Sequence, residues 1–164
     1  MKTRNISVSY TEYSNIEELK GDDQELINAA KEASVNAYAP YSGFRVGAAV
    51  RLSSGQIVKG ANVENAAYPS GICAERNALS NSITNFPREK VMAVAISALG
   101  KDNKTDDHIS PCGMCRQVLA EEESRKGNKI RIILAGNSKI LIINSISDLL
   151  PLQFNKENLR IALP

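Results

Sequence analysis

The cysteines of this chain fall into two short motifs with the residue types of a metal site. Cys73 begins the motif C-A-E, and Cys112 and Cys115 stand in the motif P-C-G-M-C. A catalytic zinc site takes three ligands from the protein and leaves a fourth position for water, whereas a structural site is closed by four. The chain has three cysteines in all. The sequence therefore predicts a catalytic zinc site whose ligands are these three thiolates.

Two charged residues follow the first cysteine and are expected to serve the same site. Glu75 stands two residues after Cys73, a spacing that places the two side chains on different faces of a helix. We expect Glu75 to carry a proton rather than bind the metal, because a bound metal lowers the pKa of water toward neutrality. Arg76 is expected to donate hydrogen bonds to the sulfurs, since three thiolates leave the site with a net negative charge.

Length, composition and charge indicate one domain without a large charged partner. Of the 164 residues, 43% are hydrophobic and 23% are charged, which is typical of a globular domain. A formal net charge of +2 favours neither a nucleic-acid partner nor a lipid surface. Residues 1–10 lack the apolar stretch of a secretory signal, and no apolar run is long enough to cross a bilayer. We therefore expect a cytoplasmic protein whose thiols stay reduced.

The elements that must position these residues alternate between helices and strands. The predicted segments are a helix capped by Asp22 or Asp23, a strand hairpin at 46–52 and 56–61, a helix at 73–84, a strand at 91–98, a helix with Ser110 as N-cap and Pro111 as first residue, and strands at 130–134 and 140–143. The link between the last two strands is too short for a crossover helix, so they must be antiparallel if they pair. Both cysteine motifs open helices, and the positive helix N-terminus favours thiolates.

This order of elements predicts an α/β fold, a three-layer α/β/α sandwich around a five-stranded mixed sheet. Residues 1–21 are expected to form an N-terminal arm or an extra strand. Residues 22–164 are expected to form a single domain, because no repeat, low-complexity tract or linker interrupts them.

Longer stretches around the cysteine motifs resemble one enzyme family. The segments N-V-E-N-A-A-Y (62–68), C-A-E-R (73–76) and S-P-C-G-M-C-R-Q-V (110–118) are similar to motifs of the small, homotetrameric class of cytidine deaminases. The segments A-P-Y-S-G-F-R-V-G-A-A (39–49) and L-L-P (149–151) match in the same order. Zinc deaminases include a three-cysteine variant, and they use a glutamate that is not a ligand as acid and base. The resemblance covers roughly residues 22–160 and includes every cysteine.

The resemblance implies hydrolytic deamination of cytidine and 2′-deoxycytidine to uridine and 2′-deoxyuridine, with release of ammonia, as in pyrimidine salvage. In such an enzyme a zinc-bound hydroxide attacks C4 of the base, and Glu75 acts as the proton shuttle. The resemblance also implies one zinc ion per subunit, a cytidine-deaminase-like fold and a homotetramer. Its partner would be a small nucleoside, not a nucleic acid or a membrane.

The same resemblance implies which residues contact the substrate. Residues that match Asn62 and Glu64 hold the ribose 3′-hydroxyl, and a carboxylate suits this role because it is a strong acceptor. Val63 lies between them and lines the site. Phe44 matches the aromatic residue that packs against the pyrimidine ring, and Ala74 is assigned to the substrate site by its place in the C-A-E motif.

Two further aromatic residues match groups that reach into the site of a neighbouring subunit. These are Tyr68 and Phe154, and they would link assembly to activity. Packing in a core or an interface is the plainer interpretation of both, and also of Phe44.

Three other functions stay open on the sequence. A non-catalytic zinc site would need a fourth ligand, and His108, the only histidine, is the candidate. A deaminase of nucleic acids would need a basic groove, and its metal motif typically begins with histidine where this chain has Cys73. A deaminase of a related aminopyrimidine nucleoside, of the blasticidin type, would keep the chemistry and change the substrate.

Overall fold

A computed structural model describes residues 1–100 and 108–159 of the chain. It contains the helices α1 (Gly21–Val35), α2 (Ala74–Asn85) and α3 (Gly113–Lys126), and the strands β1 (Thr11–Tyr13), β2 (Arg45–Leu52), β3 (Ile57–Ala61), β4 (Val91–Leu99), β5 (Arg131–Ala135) and β6 (Ile140–Ile143). The end of the predicted domain, residues 160–164, lies outside the described residues. Within those ranges no helix is both long and apolar enough to span a membrane.

The strands in the described ranges form one mixed sheet in the order β1-β6-β5-β4-β2-β3. Strands β4 and β5 are parallel, and the other neighbouring pairs are antiparallel. The antiparallel pairing predicted for β5 and β6 is thereby confirmed. A parallel pair needs a long crossover, and α3 lies in the connection from β4 to β5. The second cysteine motif therefore enters the fold on that crossover.

The prediction of five strands is wrong, because β1 adds a sixth strand at one edge of the sheet. It pairs antiparallel with β6, with Thr11 opposite Ile142 and Tyr13 opposite Ile140. Ile6, Val8 and Tyr10 alternate with polar residues before the strand, and their side chains are exposed. A strand of three residues is too short to show a clear alternation of its own. The proposed domain boundary at residue 21 stays a prediction.

The helices lie on both faces of the sheet, so the predicted three-layer architecture is confirmed. Leu26 of α1 packs in one buried cluster with Ala95 of β4. Ala78 of α2 and Leu119 of α3 pack in the other cluster with Ile96 of β4. Ala95 and Ile96 are consecutive, and consecutive residues of a strand point to opposite faces. The sequence of β4, apolar except for Ser97, thus reflects burial on both sides.

The prediction that an aspartate caps the first helix is wrong. α1 begins at Gly21 with Lys20 at the N-cap position. Asp23 instead accepts hydrogen bonds at 2.9 and 3.1 Å from the guanidinium of Arg131, on β5. This two-pronged ion pair fixes the first turn of α1 against the sheet.

The third helix starts later than predicted. Its N-cap is Cys112 and its first residue is Gly113, not Ser110 and Pro111. Cys112 has extended backbone angles (φ −64°, ψ 168°), and the carbonyl of Pro111 accepts a hydrogen bond from Arg116 Nε at 2.8 Å. The chain therefore turns into the helix at the cysteine itself.

Two glycines let helices approach the sheet closely from opposite sides. A Cβ atom on Gly47 of β2 would lie 2.0 Å from the carbonyl oxygen of Ala30 in α1. A Cβ atom on Gly60 of β3 would lie 2.4 Å from the backbone nitrogen of Ala78 in α2. Neither backbone atom can move without moving its helix. Gly60 therefore allows the short distance between the sheet and α2, the helix that begins at the first cysteine motif.

A buried carboxylate joins the end of α3 to the two segments beside it. Glu123 is 9% exposed and accepts hydrogen bonds from the backbone nitrogens of Ile130, at 2.7 Å, and Ile146, at 3.0 Å. The hydroxyl of Ser145 donates to it at 2.9 Å, and that of Ser147 at 3.1 Å. These contacts satisfy backbone groups that would otherwise be buried without partners.

Replacing Glu123 by Gln should lower the free energy of unfolding by about 3 kcal/mol, because the amide offers one acceptor oxygen where several buried donors converge. Urea denaturation followed by circular dichroism measures the change. Glu121→Gln on the exposed side of the same helix is the matched control, and it should stay within about 0.5 kcal/mol of the unchanged protein. Equal stability of the two variants would contradict the role given to Glu123.

Candidate metal centre and the cavity beside it

Three sulfur atoms meet at the N-terminal ends of α2 and α3. The Sγ atoms of Cys73 and Cys112 are 3.9 Å apart, and those of Cys112 and Cys115 are 3.5 Å apart. All three lie within 4.8 Å of one another. Tetrahedral zinc with Zn–S bonds of about 2.3 Å requires sulfurs about 3.8 Å apart. The donor set and its spacing therefore fit a zinc ion.

Each ligand takes its position from a helix start on the same face of the sheet. Cys73 is the N-cap of α2, Cys112 is the N-cap of α3, and Cys115 lies in the first turn of α3. The positive ends of two helix dipoles point toward the sulfurs and favour their thiolate forms. Cys115 is fully buried, whereas Cys112 is exposed. A metal would thus be held by the core on one side and reached from the other.

Burial and mutual repulsion set the pKa values of the three thiols. Burial raises the pKa of Cys73, and the charge of Cys112 adds to the effect. Burial also raises the pKa of Cys115, and the Glu75 carboxylate raises it further. Burial raises the pKa of Cys112 too, but the backbone N–H and thiol of Cys115 outweigh it and bring that pKa below its usual value. A divalent cation among the three sulfurs would act against the effect of burial, because it stabilises thiolates.

Glu75 is a buried carboxyl group beside this cluster. Glu75 is 5% exposed. Burial raises the pKa of its carboxyl group, although its own backbone N–H and the Cys115 thiol act in the opposite direction. A raised pKa brings the proton equilibrium of a carboxyl group closer to neutral pH, as suits a group that takes up and returns protons. Its oxygens do not belong to the group of metal-ligand atoms formed by the described residues.

A cavity of about 700 Å³ opens onto the cluster. This volume lies in the usual range for a small-molecule site. All the residues that the sequence assigned to substrate contact line it; they are Phe44, Asn62, Val63, Glu64 and Ala74. Cys73, Cys112 and Glu75 line the same cavity. The structure therefore brings together the predicted ligands, the predicted proton carrier and the predicted substrate contacts.

Asn62 and Glu64 are held by the segment that carries Phe44. Asn62 Oδ1 accepts a hydrogen bond from the backbone nitrogen of Val46 at 2.7 Å, and Asn62 Nδ2 donates to the carbonyl of Phe44 at 3.0 Å. Glu64 accepts hydrogen bonds from the backbone nitrogen of Tyr41, at 2.9 Å, and from two groups of the next residue. The roles that the family resemblance implies for these side chains, as substrate contacts, stay predictions.

The remaining predicted residues differ in whether they line the cavity or contact the sulfurs. Tyr68 lines the cavity, is 76% exposed, and its ring meets that of Tyr41 edge-on with centroids 6.1 Å apart. Phe154 is 58% exposed and does not line the cavity. Arg76 is half-buried, and within the described residues no hydrogen bond joins it to a sulfur. Its predicted role toward the thiolates stays a prediction.

His108 does not join the three sulfurs. The group of possible ligands among the described residues contains only the cysteines, and Nδ1 of His108 is buried without a hydrogen-bond partner in those ranges. The arrangement gives no support to a closed structural site with histidine as the fourth ligand.

Sequence reasoning missed several residues that line the cavity. Ile109 and Ser110 precede the second cysteine motif and Met114 lies within it, and Tyr41 and Ser42 belong to the same lining. Tyr41 and Ser42 stand inside the motif at 39–49, close to the assigned Phe44. This closeness in sequence to an assigned residue was the signal that could have pointed to them. Their contact with Glu64 spans more than twenty residues of sequence, and no local pattern reports such a contact.

Known proteins are similar to this chain in both sequence and fold. Residues 20–127 match the family model described as the cytidine and deoxycytidylate deaminase zinc-binding region. A cytidine deaminase of Halalkalibacterium halodurans is 36% identical over 146 residues, which are 84% of this chain and 98% of that protein. The crystal structure of a cytidine deaminase from Burkholderia pseudomallei is 38% identical with a TM-score of 0.68, and the match covers 79% of this chain and 97% of that one.

A relative with a different named substrate matches less closely. A blasticidin-S deaminase of Bacillus cereus is 26% identical over 136 residues, which are 82% of this chain and 93% of that protein. The family match covers all three sulfur ligands, Glu75 and the assigned contacts from Phe44 to Ala74. The chain belongs to the cytidine and deoxycytidylate deaminase family defined by this zinc-binding region.

Proposed function

We propose that this protein is a zinc-dependent cytidine deaminase that hydrolyses cytidine and 2′-deoxycytidine to uridine and 2′-deoxyuridine. The observation that carries the proposal is the set of three sulfurs at zinc-ligand spacing beside the buried Glu75, in a cavity of about 700 Å³. Similarity over nearly the full length of proteins named cytidine deaminase supports the same activity.

The chemistry divides between the metal and one carboxyl group. Zinc held by three thiolates supplies a water of lowered pKa and so a nucleophile near neutral pH. Glu75 accepts one proton of the water and passes it to the ring nitrogen next to C4. It then takes the second proton from the new hydroxyl on C4 and gives it to the departing amine. One water is consumed and one ammonia is released. Burial suits Glu75 to this work because it raises the pKa of the carboxyl group toward the working pH.

The substrate would be oriented by the cavity lining. Phe44 packs against the pyrimidine ring, and Asn62 and Glu64 hold the ribose 3′-hydroxyl, with Val63 and Ala74 completing the surface. The support is that all five line one cavity with the metal ligands. Asn62 already uses one donor and its acceptor oxygen on the Phe44 segment, but an amide keeps one further donor and one further lone pair.

We further propose a homotetramer of cytoplasmic subunits that serves pyrimidine salvage. Aromatic and aliphatic side chains lie exposed, among them Tyr68 in the cavity lining, at 76%, and Leu152, at 94%. Exposed apolar groups of this kind favour cover by another protein surface. In this arrangement Tyr68 and Phe154 of one subunit would contact the site of a neighbour. Thiolate ligands also need a reducing compartment.

Metal and activity should be lost and regained together. The purified protein is expected to contain one zinc ion per chain and to convert cytidine and 2′-deoxycytidine, followed by the change in ultraviolet absorbance. Removing zinc with a chelator should abolish turnover, and adding zinc back should restore it. Blasticidin S is the comparison substrate, and faster turnover of it than of cytidine would shift the proposal to that nucleoside. Full activity in metal-free protein would contradict the mechanism.

Replacing Glu75 by Gln should lower kcat by about a hundredfold or more, because general acid-base catalysis contributes on that scale. Zinc content should stay unchanged, since the carboxylate is not among the ligand atoms. Glu121→Gln is the control of equal chemistry at an exposed position and should keep full activity. A Glu75 variant with near-normal kcat would remove the residue from the proton path.

Mixing two inactive variants should restore part of the activity if subunits share sites. Phe154→Ala keeps an intact Glu75, and Glu75→Gln keeps an intact Phe154. Hybrid tetramers would therefore contain some sites with both groups, and activity should appear after the subunits exchange. Sedimentation analysis checks that each variant has the mass of four chains. Exchange of subunits without any regained activity would contradict the contribution of Phe154 to a neighbouring site.

A further inference from the structure

We propose that Ser42 is a positioning residue that fixes the carboxylate of Glu64 as the acceptor for a single substrate hydroxyl. The inference rests on the proposed function, because it takes a nucleoside as the substrate and its sugar as the part that Glu64 meets. It concerns a serine to which neither the sequence nor the family resemblance gave a role.

The hydroxyl of Ser42 makes two hydrogen bonds that join two parts of the cavity lining. It donates to Glu64 Oε1 at 2.5 Å and accepts from the backbone nitrogen of Phe44 at 2.9 Å. The other carboxylate oxygen, Oε2, accepts from the backbone nitrogens of Tyr41, at 2.9 Å, and of Ser42, at 3.2 Å. Three donors from one short loop therefore hold the carboxylate of a residue more than twenty positions away.

These contacts leave Glu64 with a limited capacity. An ionised carboxylate has about four lone-pair sites, two on each oxygen. The two backbone donors occupy Oε2, and the Ser42 hydroxyl occupies one site on Oε1. One site on Oε1 is left for a further donor. Glu64 can thus accept one hydroxyl in a fixed direction, and it offers no open pair of oxygens to a guanidinium or an ammonium group.

The same contacts keep Glu64 in its charged form. The hydroxyl of Ser42, opposed by a smaller desolvation effect and helped by the backbone N–H groups of Tyr41 and Ser42, holds the pKa of Glu64 below its usual value. A charged acceptor forms shorter and stronger hydrogen bonds to a hydroxyl than a neutral acceptor does. Ser42 therefore contributes to both the direction and the strength of the remaining acceptor site.

The two hydrogen bonds of Ser42 predict effects that can be told apart. The bond to Glu64 matters only for a substrate whose sugar presents the matching hydroxyl. The bond to the Phe44 backbone affects the wall against which the pyrimidine packs, and this effect is common to every pyrimidine nucleoside. Comparing cytidine with 3′-deoxycytidine, which lacks only the 3′-hydroxyl, separates the two.

The experiment measures kcat and KM of the full-length zinc-loaded protein and its variants on both nucleosides. Ser42→Ala should lower kcat/KM for cytidine by about tenfold or more, mainly through a higher KM, because the lost contact serves bound substrate and transition state alike. The loss on 3′-deoxycytidine should be several times smaller. Ser42→Thr retains a hydroxyl and should recover most of the preference for cytidine. Ser80→Ala, on the exposed side of α2, is the control and should change neither substrate.

A double-variant comparison tests the route through Glu64. In a Glu64→Gln background, Ser42→Ala should have little further effect on the ratio of the two substrates, because the residues act as one unit. Equal losses on cytidine and 3′-deoxycytidine, or full additivity of the two changes, would overturn the role of Ser42 while leaving the deaminase intact. Absence of cytidine turnover in the unchanged protein would overturn the proposed function and this inference with it. Thermal unfolding confirms that each variant is folded.

Discussion

The site is built around three sulfurs whose thiolate forms repel one another unless a cation lies among them. Cys73, Cys112 and Cys115 bring three sulfurs within 4.8 Å of one another, next to the carboxyl group of Glu75. Without a cation, burial raises the pKa of the first and last thiols and so favours their protonated forms. A divalent ion would reverse this balance, because each thiolate then gains a bond to the ion, whose positive charge offsets the repulsion between the sulfurs. Since the two cysteine motifs come from distant segments, metal binding also ties two helix starts together.

The cavity is likewise a product of the whole fold rather than of one motif. The N-terminal ends of α2 and α3 lie on the same face of the sheet and line the cavity. The loop before β2 supplies further residues of the lining. Phe44 stands in that loop, while Asn62 and Glu64 follow β3 and hold the loop through hydrogen bonds. The residues proposed to bind the sugar are therefore also the residues that shape the wall for the base. A change in either segment alters both surfaces at once.

The sequence predicted the features that have a local cause. The C-A-E and P-C-G-M-C motifs predicted the three sulfurs that the structure brings together, and the largely apolar sequence at 91–98 predicted the strand that became β4. It failed where the cause is distant. Asp23 was read as a helix cap, but its partner is Arg131, far along the chain. Glu123 and Ser42 gave no signal, because Glu123 bonds Ser145, Ile146 and Ser147, and Ser42 bonds Glu64, across more than twenty residues. Strand β1, which has three residues, was too short to show the alternation by which strands are recognised.

The two glycines that lie against helix backbone, Gly47 and Gly60, limit how this protein can be engineered. Replacing glycine by alanine is a common route to thermostable variants, because it restricts the unfolded chain. At Gly47 and Gly60 that route is closed, since an added methyl group would collide with helix backbone on either side of the sheet. Gly21 at the start of α1 has open space around its Cα. Libraries aimed at heat resistance should therefore leave Gly47 and Gly60 untouched and sample Gly21.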